Sequence, residues 1–292
     1  MGGLDNRDSS SAVLTVLEVA GRIGMAEPVV AELRCIDESG ETLSESGMEA
    51  VRGLADPRER VESWETLKAE LAGGDPNGLR MLYWMLHAAG RYTFPTYRRM
   101  GIPDDIFDAT MGCFTRFVGE HRTSYGRYGF DRDFWTYREL SARLFRLGSL
   151  EFELAYDAAD VPTIAGLPRV INVHIPSDAS LDPAQCDRSV DESREFLAEF
   201  FPDWTGLPYW CESWLLSPAL ERLLPESSRI LAFQRRFDIR ETHPDAPDWR
   251  EWVFQRCDAP IAELPEHTSL QRNMKRFLLD GGKVGVGIGC LR

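Results

Sequence analysis

Apolar residues in the first half of the chain recur with the period of an α-helix, every three or four positions. One such stripe consists of Val61, Trp64, Leu67 and Leu71. Further stripes follow, several of them opened by a proline and closed by a glycine. The last stripe begins near Asp133 and is predicted to reach Leu147, with Gly148 ending the helix. The pattern predicts an all-helical domain over residues 1–147.

After Gly148 the apolar period changes to two, which is typical of β-strands. Strict alternation is found in SLEFELAY and in VINVHIP, where Asn172 and His174 share the polar side. Strands are also predicted in PYWCESWLL, RILAFQRRFDI, REWVFQRC and the glycine-rich segment near the end. A helix is predicted to start at Ser189, where a capping-box pattern begins. Residues 148–292 are therefore predicted to form an α/β domain.

The glycine-rich segment GGKVGVGIG, residues 281–289, has the look of a phosphate-binding loop. Such a loop lies between a strand and a following helix, whose N-terminus attracts the anion. Here the predicted helix comes before the glycines and no helical pattern follows them. We interpret the segment as a strand, with Gly285, Gly287 and Gly289 on one face where another element approaches closely.

The composition excludes several classes of function. With 292 residues, 43% hydrophobic and 27% charged, the chain has the makeup of a soluble globular protein. Its net charge of −14 repels polyanions, so we expect no nucleic-acid partner. No apolar run reaches the ~20 residues of a membrane helix, and the polar N-terminus is unlike a secretion signal. We therefore expect no membrane partner and a cytoplasmic location. The six cysteines lack metal-ligand spacing, so no metal is expected, and the oligomeric state is left open.

Three segments carry a family resemblance: INVHIPSDASL, WCESWLLSPALERLLPESSRILAFQRRFDI and LQRNMKRFLLDGGKVGVGIG. They resemble the C-terminal domain of bacterial acyltransferase-like proteins, in which a helical domain precedes a domain with the GNAT (N-acetyltransferase) fold. The resemblance implies an α+β two-domain protein whose GNAT-like domain has a mixed, mostly antiparallel sheet. It also implies an acyl-CoA-dependent N-acyltransferase. Acetyl-CoA or another acyl-CoA would be the co-substrate, and a small-molecule amine the acceptor.

The resemblance assigns candidate positions for the CoA moiety. VINVHIP corresponds to the central strand of the fold, whose backbone meets the pantetheine arm, which implicates Val173 and Ile175. The turn after this strand and the start of the next helix would receive the phosphates. That placement implicates Ser177, Arg188 and Ser189.

One departure from the family pattern supports a rival interpretation. GNAT enzymes usually carry Arg/Gln-x-x-Gly-x-Gly/Ala before this helix, whereas SDASLDPAQCDRS contains no glycine. The rival is a non-catalytic binding or regulatory module that keeps a degenerate GNAT fold.

Acyl transfer to an amine requires a base for the ammonium proton, a donor to the developing oxyanion and an acid for the leaving thiolate. Imidazole titrates near neutral pH, which makes His174 a candidate base. A strand-end histidine bonded to a loop backbone is the plainer alternative. Glu212 is a second candidate base, because two flanking indoles would desolvate its carboxylate, although pairing with an arginine would also explain it.

Three further residues of PYWCESWLL carry candidate chemistry. Ser213 is a candidate oxyanion donor and Tyr209 a candidate acid for the thiolate. Cys211 could form a thiol–imidazole pair with His174, as in a Cys-His hydrolase, or could be a small core residue.

Overall fold

The fold is described by a computed structural model for residues 13–157, 160–257 and 259–292. The chain divides into two compact units, Met1–Arg143 and Leu144–Arg292. The polar N-terminal tip, on which the expected location partly rests, lies outside the described residues. None of the described helices combines the length and apolar composition needed to cross a membrane.

The first unit is built from eight α-helices within the described part of the chain, as the apolar period predicts. They are α1 Val16–Arg22, α2 Glu27–Ser39, α3 Glu45–Gly53, α4 Arg60–Leu71, α5 Leu79–Ala88, α6 Phe94–Met100, α7 Asp104–Tyr125 and α8 Asp133–Leu140. In α4, Leu67 and Leu71 are buried as the stripe predicts, whereas Val61 is 42% exposed. A single π-helical turn, Ala89–Thr93, joins α5 to α6.

The predicted end of the last helix in this unit is wrong. Helix α8 ends at Leu140, Ala142 adopts a left-handed φ of +53°, and a strand begins at Leu144. Leu144 and Leu147 are buried, but in a strand that pairs with the next one. Two leucines three positions apart fit the apolar stripe of a helix, but here the pairing of their segment with the next strand decides the structure. The division therefore falls at 143/144 rather than at 147/148.

The second unit contains a six-stranded sheet. Its strands are β1 Leu144–Leu147, β2 Leu150–Ala155, β3 Val170–His174, β4 Tyr209–Ser213, β5 Phe237–His243 and β6 Val286–Leu291. Their spatial order is β1-β2-β3-β4-β6-β5. The β3–β4 pair is parallel and the remaining pairs are antiparallel. This arrangement confirms the predicted mixed, mostly antiparallel sheet.

Three α-helices accompany the sheet in the described residues, namely α9 Pro183–Phe200, α10 Arg229–Gln234 and α11 Ser269–Leu279. The predicted start of α9 at Ser189 is wrong. Asp182 is the N-cap residue, and its carboxylate accepts from the backbone N–H groups of Ala184 and Gln185 at 3.1 and 3.3 Å. An aspartate cap followed by proline at the first helical position is a stronger start signal than an internal serine.

Two predicted strands are also corrected. The first half of RILAFQRRFDI forms helix α10, capped by Ser228, and β5 begins at Phe237. REWVFQRC is not a strand, since Arg250–Phe254 forms a π-helical turn that ends at Gln255 with φ +54°. Both segments are rich in apolar and aromatic residues, which short helices and strands share, so composition alone does not separate them.

The glycine-rich segment is confirmed as a strand from Val286 onward, whereas Gly285 lies ahead of the strand with a left-handed φ of +62°, so its predicted place on a strand face is wrong. β6 lies between β4 and β5 and pairs with both. A Cβ atom on Gly287 would lie 2.4 Å from the Leu216 carbonyl oxygen. A Cβ atom on Gly289 would lie 3.1 Å from the backbone carbonyl oxygen of Asp238. The glycines therefore permit close approach of neighbouring backbone, as predicted.

Candidate functional site

The parallel strands β3 and β4 come apart partway along their length. Their last paired residues are Asn172 and Trp210. Beyond that pair, β3 continues to His174 in register with β2, and β4 continues to Ser213 in register with β6. Each strand stays with its outer neighbour, so an opening lies between the carboxyl ends of β3 and β4.

Backbone groups of β3 face this opening. The Ile171 N–H donates to the Pro208 carbonyl at 3.0 Å, so Ile171 directs its backbone groups towards β4. Alternate residues of a strand direct their backbone groups to the same side. Val173 is the next such residue: its N–H belongs to the last β3–β4 pair and its carbonyl lies beyond that pair. Ile175 follows just past the strand end. These are the two residues predicted to meet a pantetheine arm.

The register assigns the nearby side chains to two faces of the sheet, because paired residues share a face and so do alternate residues of one strand. The first face carries Glu151, Glu153, Asn172, His174, Trp210 and Glu212. The second face carries Phe152, Ile171, Val173, Tyr209, Cys211 and Ser213. The four predicted catalytic residues are thus divided, with His174 and Glu212 on the first face.

His174 forms a hydrogen-bonded pair with a buried acid. Its Nε2 lies 2.8 Å from Oε2 of Glu153 on the adjacent strand β2. Glu153 is 1% exposed, and His174 is partly exposed at the end of β3. The carboxylate fixes the orientation of the ring. The Nε2 atom of His174 is therefore paired with a carboxylate of the adjacent strand.

Glu212 occupies the equivalent position on β4, two residues beyond the last pair. Desolvation raises the pKa of its carboxyl, and so does the negative charge of Asp248. Glu241 acts in the same direction, whereas His243 opposes it. Although Glu212 is an exposed residue, these causes raise its pKa, which is the direction that the sequence interpretation predicted for a candidate base. The sequence also allowed Glu212 to pair with an arginine, and no arginine is among the charges that shift its pKa.

Tyr209 and Cys211 are packed on the second face. The Tyr209 hydroxyl is 2.9 Å from Oγ of Ser193 on α9, and its ring lies edge-on to Phe152. Burial raises the pKa of Tyr209, which makes it a weaker acid. Burial also raises the pKa of the fully buried Cys211 thiol. Cys211 therefore fits the core-residue interpretation, because it faces away from His174.

Ser213 is engaged at the end of β4. Its Oγ accepts from the Leu215 N–H at 3.1 Å and caps the short 3-10 helix Trp214–Leu216. The hydroxyl lies on the second face with Tyr209. The residues predicted as oxyanion donor and acid are thus on the opposite face from the predicted bases.

The turn between β3 and α9 carries the residues predicted to bind the phosphates. Ser177 is exposed in the turn, and Arg188 is exposed on α9. Ser189 is fully buried, and its Oγ accepts from the Ser149 N–H at 2.7 Å. It therefore anchors the β1–β2 turn to α9. The prediction that Ser189 begins a phosphate-binding helix end is wrong, because Asp182 occupies that position.

Two polar atoms at the last β3–β4 pair lack a hydrogen-bond partner among the described residues. They are Nε1 of Trp210 and Oδ1 of Asn172, and neither has appreciable exposed surface. The Asn172 Nδ2 donates to the Asp160 carbonyl at 2.6 Å, so only the oxygen of that amide is unmatched. The Trp210 side chain is 7% exposed and packs with Val170 and Ile288.

Glu153 is the site residue that the sequence analysis missed. The alternation in SLEFELAY placed Glu151 and Glu153 on a polar strand face, which in a half-exposed strand would be solvated. Both glutamates are buried instead, at 2% and 1% exposure. Two acids opposite a strand that carries Asn172 and His174 would have indicated the pair, had the strand register been known. The described residues contain no group of three or more metal-ligating side chains.

Two protein-family models match the chain. The GNAT-like C-terminal domain matches residues 144–291, and the N-acyltransferase N-terminal domain matches residues 15–142. These matches confirm the resemblance and the fold class predicted from the sequence. Comparison with curated proteins returned no match.

Solved structures with the same fold include several acyltransferases. One, in complex with decanoyl-CoA and teicoplanin, is 24% identical, with a TM-score of 0.65 over 95% of this chain and 99% of that one. Another, with CoA and 10C-teicoplanin, is 23% identical, with a TM-score of 0.65 over 96% and 99%. A third, with decanoyl-CoA, is 21% identical, with a TM-score of 0.59 over 95% and 99%. At these identities the likeness concerns the fold.

Proposed function

The chain belongs to the N-acyltransferase family with a GNAT-like C-terminal domain, and on that premise we propose that it transfers an acyl group from acyl-CoA to an amine. The observation that carries the proposal is the parting of β3 and β4 after Asn172 and Trp210. An interior pair of parallel strands ordinarily continues its hydrogen bonds to the strand ends. Strands that diverge inside a sheet leave backbone groups available to an extended ligand.

In this proposal the pantetheine arm lies in the opening, alongside β3. The Val173 carbonyl and the backbone groups of Ile175 face it and would bond the amides of the arm as another strand would. The phosphates would lie at the turn that follows, within reach of Ser177 and Arg188. Arg188 has no hydrogen bond or ion pair within the described chain, so its guanidinium is available to an anion.

The chemistry needs one proton acceptor beside the thioester carbonyl. The amine nitrogen attacks the carbonyl carbon, the C–N bond forms, and the C–S bond then breaks to release CoA as a thiolate. The attacking amine is neutral, so its nitrogen becomes positively charged in the tetrahedral intermediate and gives one proton to the base. The thiolate takes up a proton from solvent. His174 is our proposed base, because Glu153 holds its ring in place at the end of β3. Glu212, across the opening, is the second candidate.

The acyl donor and acceptor classes are drawn from the structural neighbours. Those acyltransferases are in complex with decanoyl-CoA and teicoplanin, and with CoA and 10C-teicoplanin. We propose an acyl-CoA donor and a small-molecule amine acceptor for this chain. An acidic protein with a net charge of −14 favours a cationic amine over an anionic acceptor.

Calorimetric titration tests the donor proposal directly. The full chain is titrated with CoA, acetyl-CoA, octanoyl-CoA and decanoyl-CoA, and thermal unfolding is followed at the same ligand concentrations. Binding with a rise in melting temperature is expected for at least one acyl-CoA. No binding of any of the four at millimolar concentration would overturn the enzyme proposal and favour the non-catalytic module.

A matched pair of histidine variants tests the base. Release of the CoA thiol is measured with a panel of amines and the acyl-CoA that binds best. His174→Gln is expected to lower the rate by about 10²–10⁴-fold while acyl-CoA affinity stays within about twofold. His267→Gln, an exposed histidine ahead of α11, serves as control and should retain the full rate. Equal rates in the two variants would remove His174 from the proposal.

A further inference from the structure

Arg146 joins three segments of the second unit. It lies on β1, in one row across the sheet with Glu151 on β2 and His174 on β3. Its Nε donates to the Gly148 carbonyl at 2.9 Å, and its Nη1 donates to Oδ1 of Asp178 at 2.9 Å. The same Nη1 is 3.8 Å from Oε1 of the buried Glu151. The guanidinium therefore ties Asp178, in the turn after β3, to β2 and to the β1–β2 turn.

The two partners of this ion pair differ in burial. The Arg146 side chain is 13% exposed, whereas that of Asp178 is 58% exposed. Contacts with Gly148 and Glu151 hold the guanidinium from the sheet side, so its position does not depend on Asp178. A fixed guanidinium loses little freedom when it accepts a partner. Because exposed ion pairs add little to overall stability, the effect of this pair is expected in the turn itself.

The turn that carries Asp178 has no glycine to shape it. Residues 175–182 read IPSDASLD, and none of them has a positive φ. The Ala179 N–H donates to the Pro176 carbonyl at 2.9 Å, which closes a four-residue turn with Ser177 and Asp178 at its tip. The usual GNAT pattern has glycine in this segment, where backbone can approach a phosphate closely. A turn without glycine relies on side chains to keep its shape.

The tip of this turn also carries an unfavourable charge for its proposed ligand. Asp178 is adjacent to Ser177, which the proposed function places beside the phosphates of acyl-CoA. A carboxylate at this position opposes an anion. Its ion pair with Arg146 offsets that charge and attaches the tip of the turn to the sheet.

We propose that Arg146 and Asp178 are positioning residues, whose ion pair holds the turn after β3 in the shape that receives the phosphates of acyl-CoA. The proposal rests on the proposed function, since it concerns the same ligand. Neither side chain meets the reacting atoms. Loss of the pair therefore weakens the binding of a donor that has phosphates and leaves the chemical step unchanged.

The test compares two acyl donors in the assay of CoA-thiol release. One is the acyl-CoA of the chain length that binds best, and the other is the acyl-pantetheine of the same chain length, which has no phosphate. KM and kcat are measured for the wild type, Asp178→Ala and Asp191→Ala. Asp191 is the matched control: it is 67% exposed and paired with Arg194 at 3.0 Å, but it lies on α9. Both variants lose one negative charge.

The direction of the change in KM decides the outcome. In Asp178→Ala we expect KM for acyl-CoA to rise about fivefold, with kcat and KM for acyl-pantetheine within about twofold of the wild type. Asp191→Ala should not raise KM for either donor. Loss of a negative charge alone would strengthen the binding of an anion, so an unchanged or lower KM for acyl-CoA in Asp178→Ala would overturn the inference. An equal rise with both donors would also overturn it, because it would indicate general damage to the fold.

A double-mutant cycle tests whether the two residues act as a pair. Arg146→Gln is expected to raise KM for acyl-CoA at least as much as Asp178→Ala does. In the Arg146→Gln background, Asp178→Ala should cause no further rise, because the ion pair is already broken. A further rise of about fivefold would show that Asp178 acts without Arg146 and would overturn the inference. Should Arg146→Gln not fold, because it removes a cation from the buried Glu151, the exposed Asp178→Ala variant decides alone.

Failure of this inference is distinguishable from failure of the proposed function. A wild type that releases the thiol of acyl-CoA while Asp178→Ala matches it would overturn only the role of the ion pair. A wild type that neither binds acyl-CoA nor releases its thiol with any amine would refute the acyltransferase proposal itself.

Discussion

Adding one methyl group at Gly287 should destabilise the second unit substantially. Its Cβ would lie 2.4 Å from the Leu216 carbonyl oxygen, 2.8 Å from that carbonyl carbon and 3.0 Å from the Leu216 Cβ. A carbon and a carbonyl oxygen normally stay more than about 3 Å apart, so a shift on the order of 1 Å is required. Gly287 has an ordinary φ, so space and not backbone strain decides the outcome.

The Leu216 carbonyl has little freedom to move. Gln234 is buried and donates to the carbonyls on either side of it, those of Leu215 and Ser217, at 3.3 and 2.8 Å. The Ser217 hydroxyl donates to the Val284 carbonyl in the segment leading to β6. We therefore expect Gly287→Ala to lower the free energy of unfolding by about 3 kcal/mol, the upper end of the usual cost of overpacking. For a unit of this size that corresponds to a fall in melting temperature of about 6–12 °C.

The measurement is scanning calorimetry of Gly287→Ala beside Gly119→Ala. Gly119 is exposed in α7, and a Cβ there would meet nothing within 4 Å. The same substitution in that open helix position should stabilise the protein by up to about 1 kcal/mol. Opposite signs are expected for the two variants. A fall of less than about 1 °C in Gly287→Ala would show that β6 relaxes freely and would refute the reasoning.

Three further predictions concern the site and its surroundings. Burial and neighbouring charge raise the pKa of Glu212 in the folded state, so ionisation destabilises the fold as pH rises. The melting temperature of Glu212→Gln should therefore be higher than that of the wild type at pH 7.5 and nearly equal to it at pH 4. The same difference in melting temperature at both pH values would contradict this. Ser189→Ala removes the acceptor of the Ser149 N–H and should cost about 1–2 kcal/mol in urea unfolding, with CoA affinity unchanged. A loss of CoA affinity would restore Ser189 to the ligand site. Asp182→Asn keeps a good N-cap but removes a negative charge, so unfolding free energy should stay within about 0.5 kcal/mol while CoA binds severalfold more tightly at low salt. Weaker binding would place the phosphates elsewhere.

Much of the fold follows from periodicity. The switch from a period near four to a period of two separates the helical unit from the sheet, and the glycine strand was predicted from its position after a helix. The errors fall where one pattern fits two structures. Leu144 and Leu147 suit a helix stripe and a strand equally, and strand pairing with β2 decides between them. Ser189 has a capping-box sequence, but the Asp182-Pro183 pair begins the helix earlier.

The site was harder to predict because its geometry depends on register. The sequence places His174 and Glu212 on strands, yet only the pairing of β3 with β4 brings them to one face beyond the last pair. Tyr209 and Ser213 carry suitable chemistry but face the other way, since side chains alternate along β4. Glu153 escaped notice because a polar residue in an alternating strand usually indicates solvent. Its burial beside His174 is a tertiary property that local spacing does not contain.

The place of β6 in the sheet has a consequence for synthesis on the ribosome. β6 follows every other strand in the chain, yet it lies between β4 and β5 and pairs with both. A nascent chain that has released β4 and β5 still lacks the strand that joins them. Until β6 emerges, β4 has an open outer edge, and exposed strand edges invite pairing with other chains. The wall of the opening that carries Glu212 is therefore completed last, so we expect nascent chains stalled before Val286 to be the most aggregation-prone species.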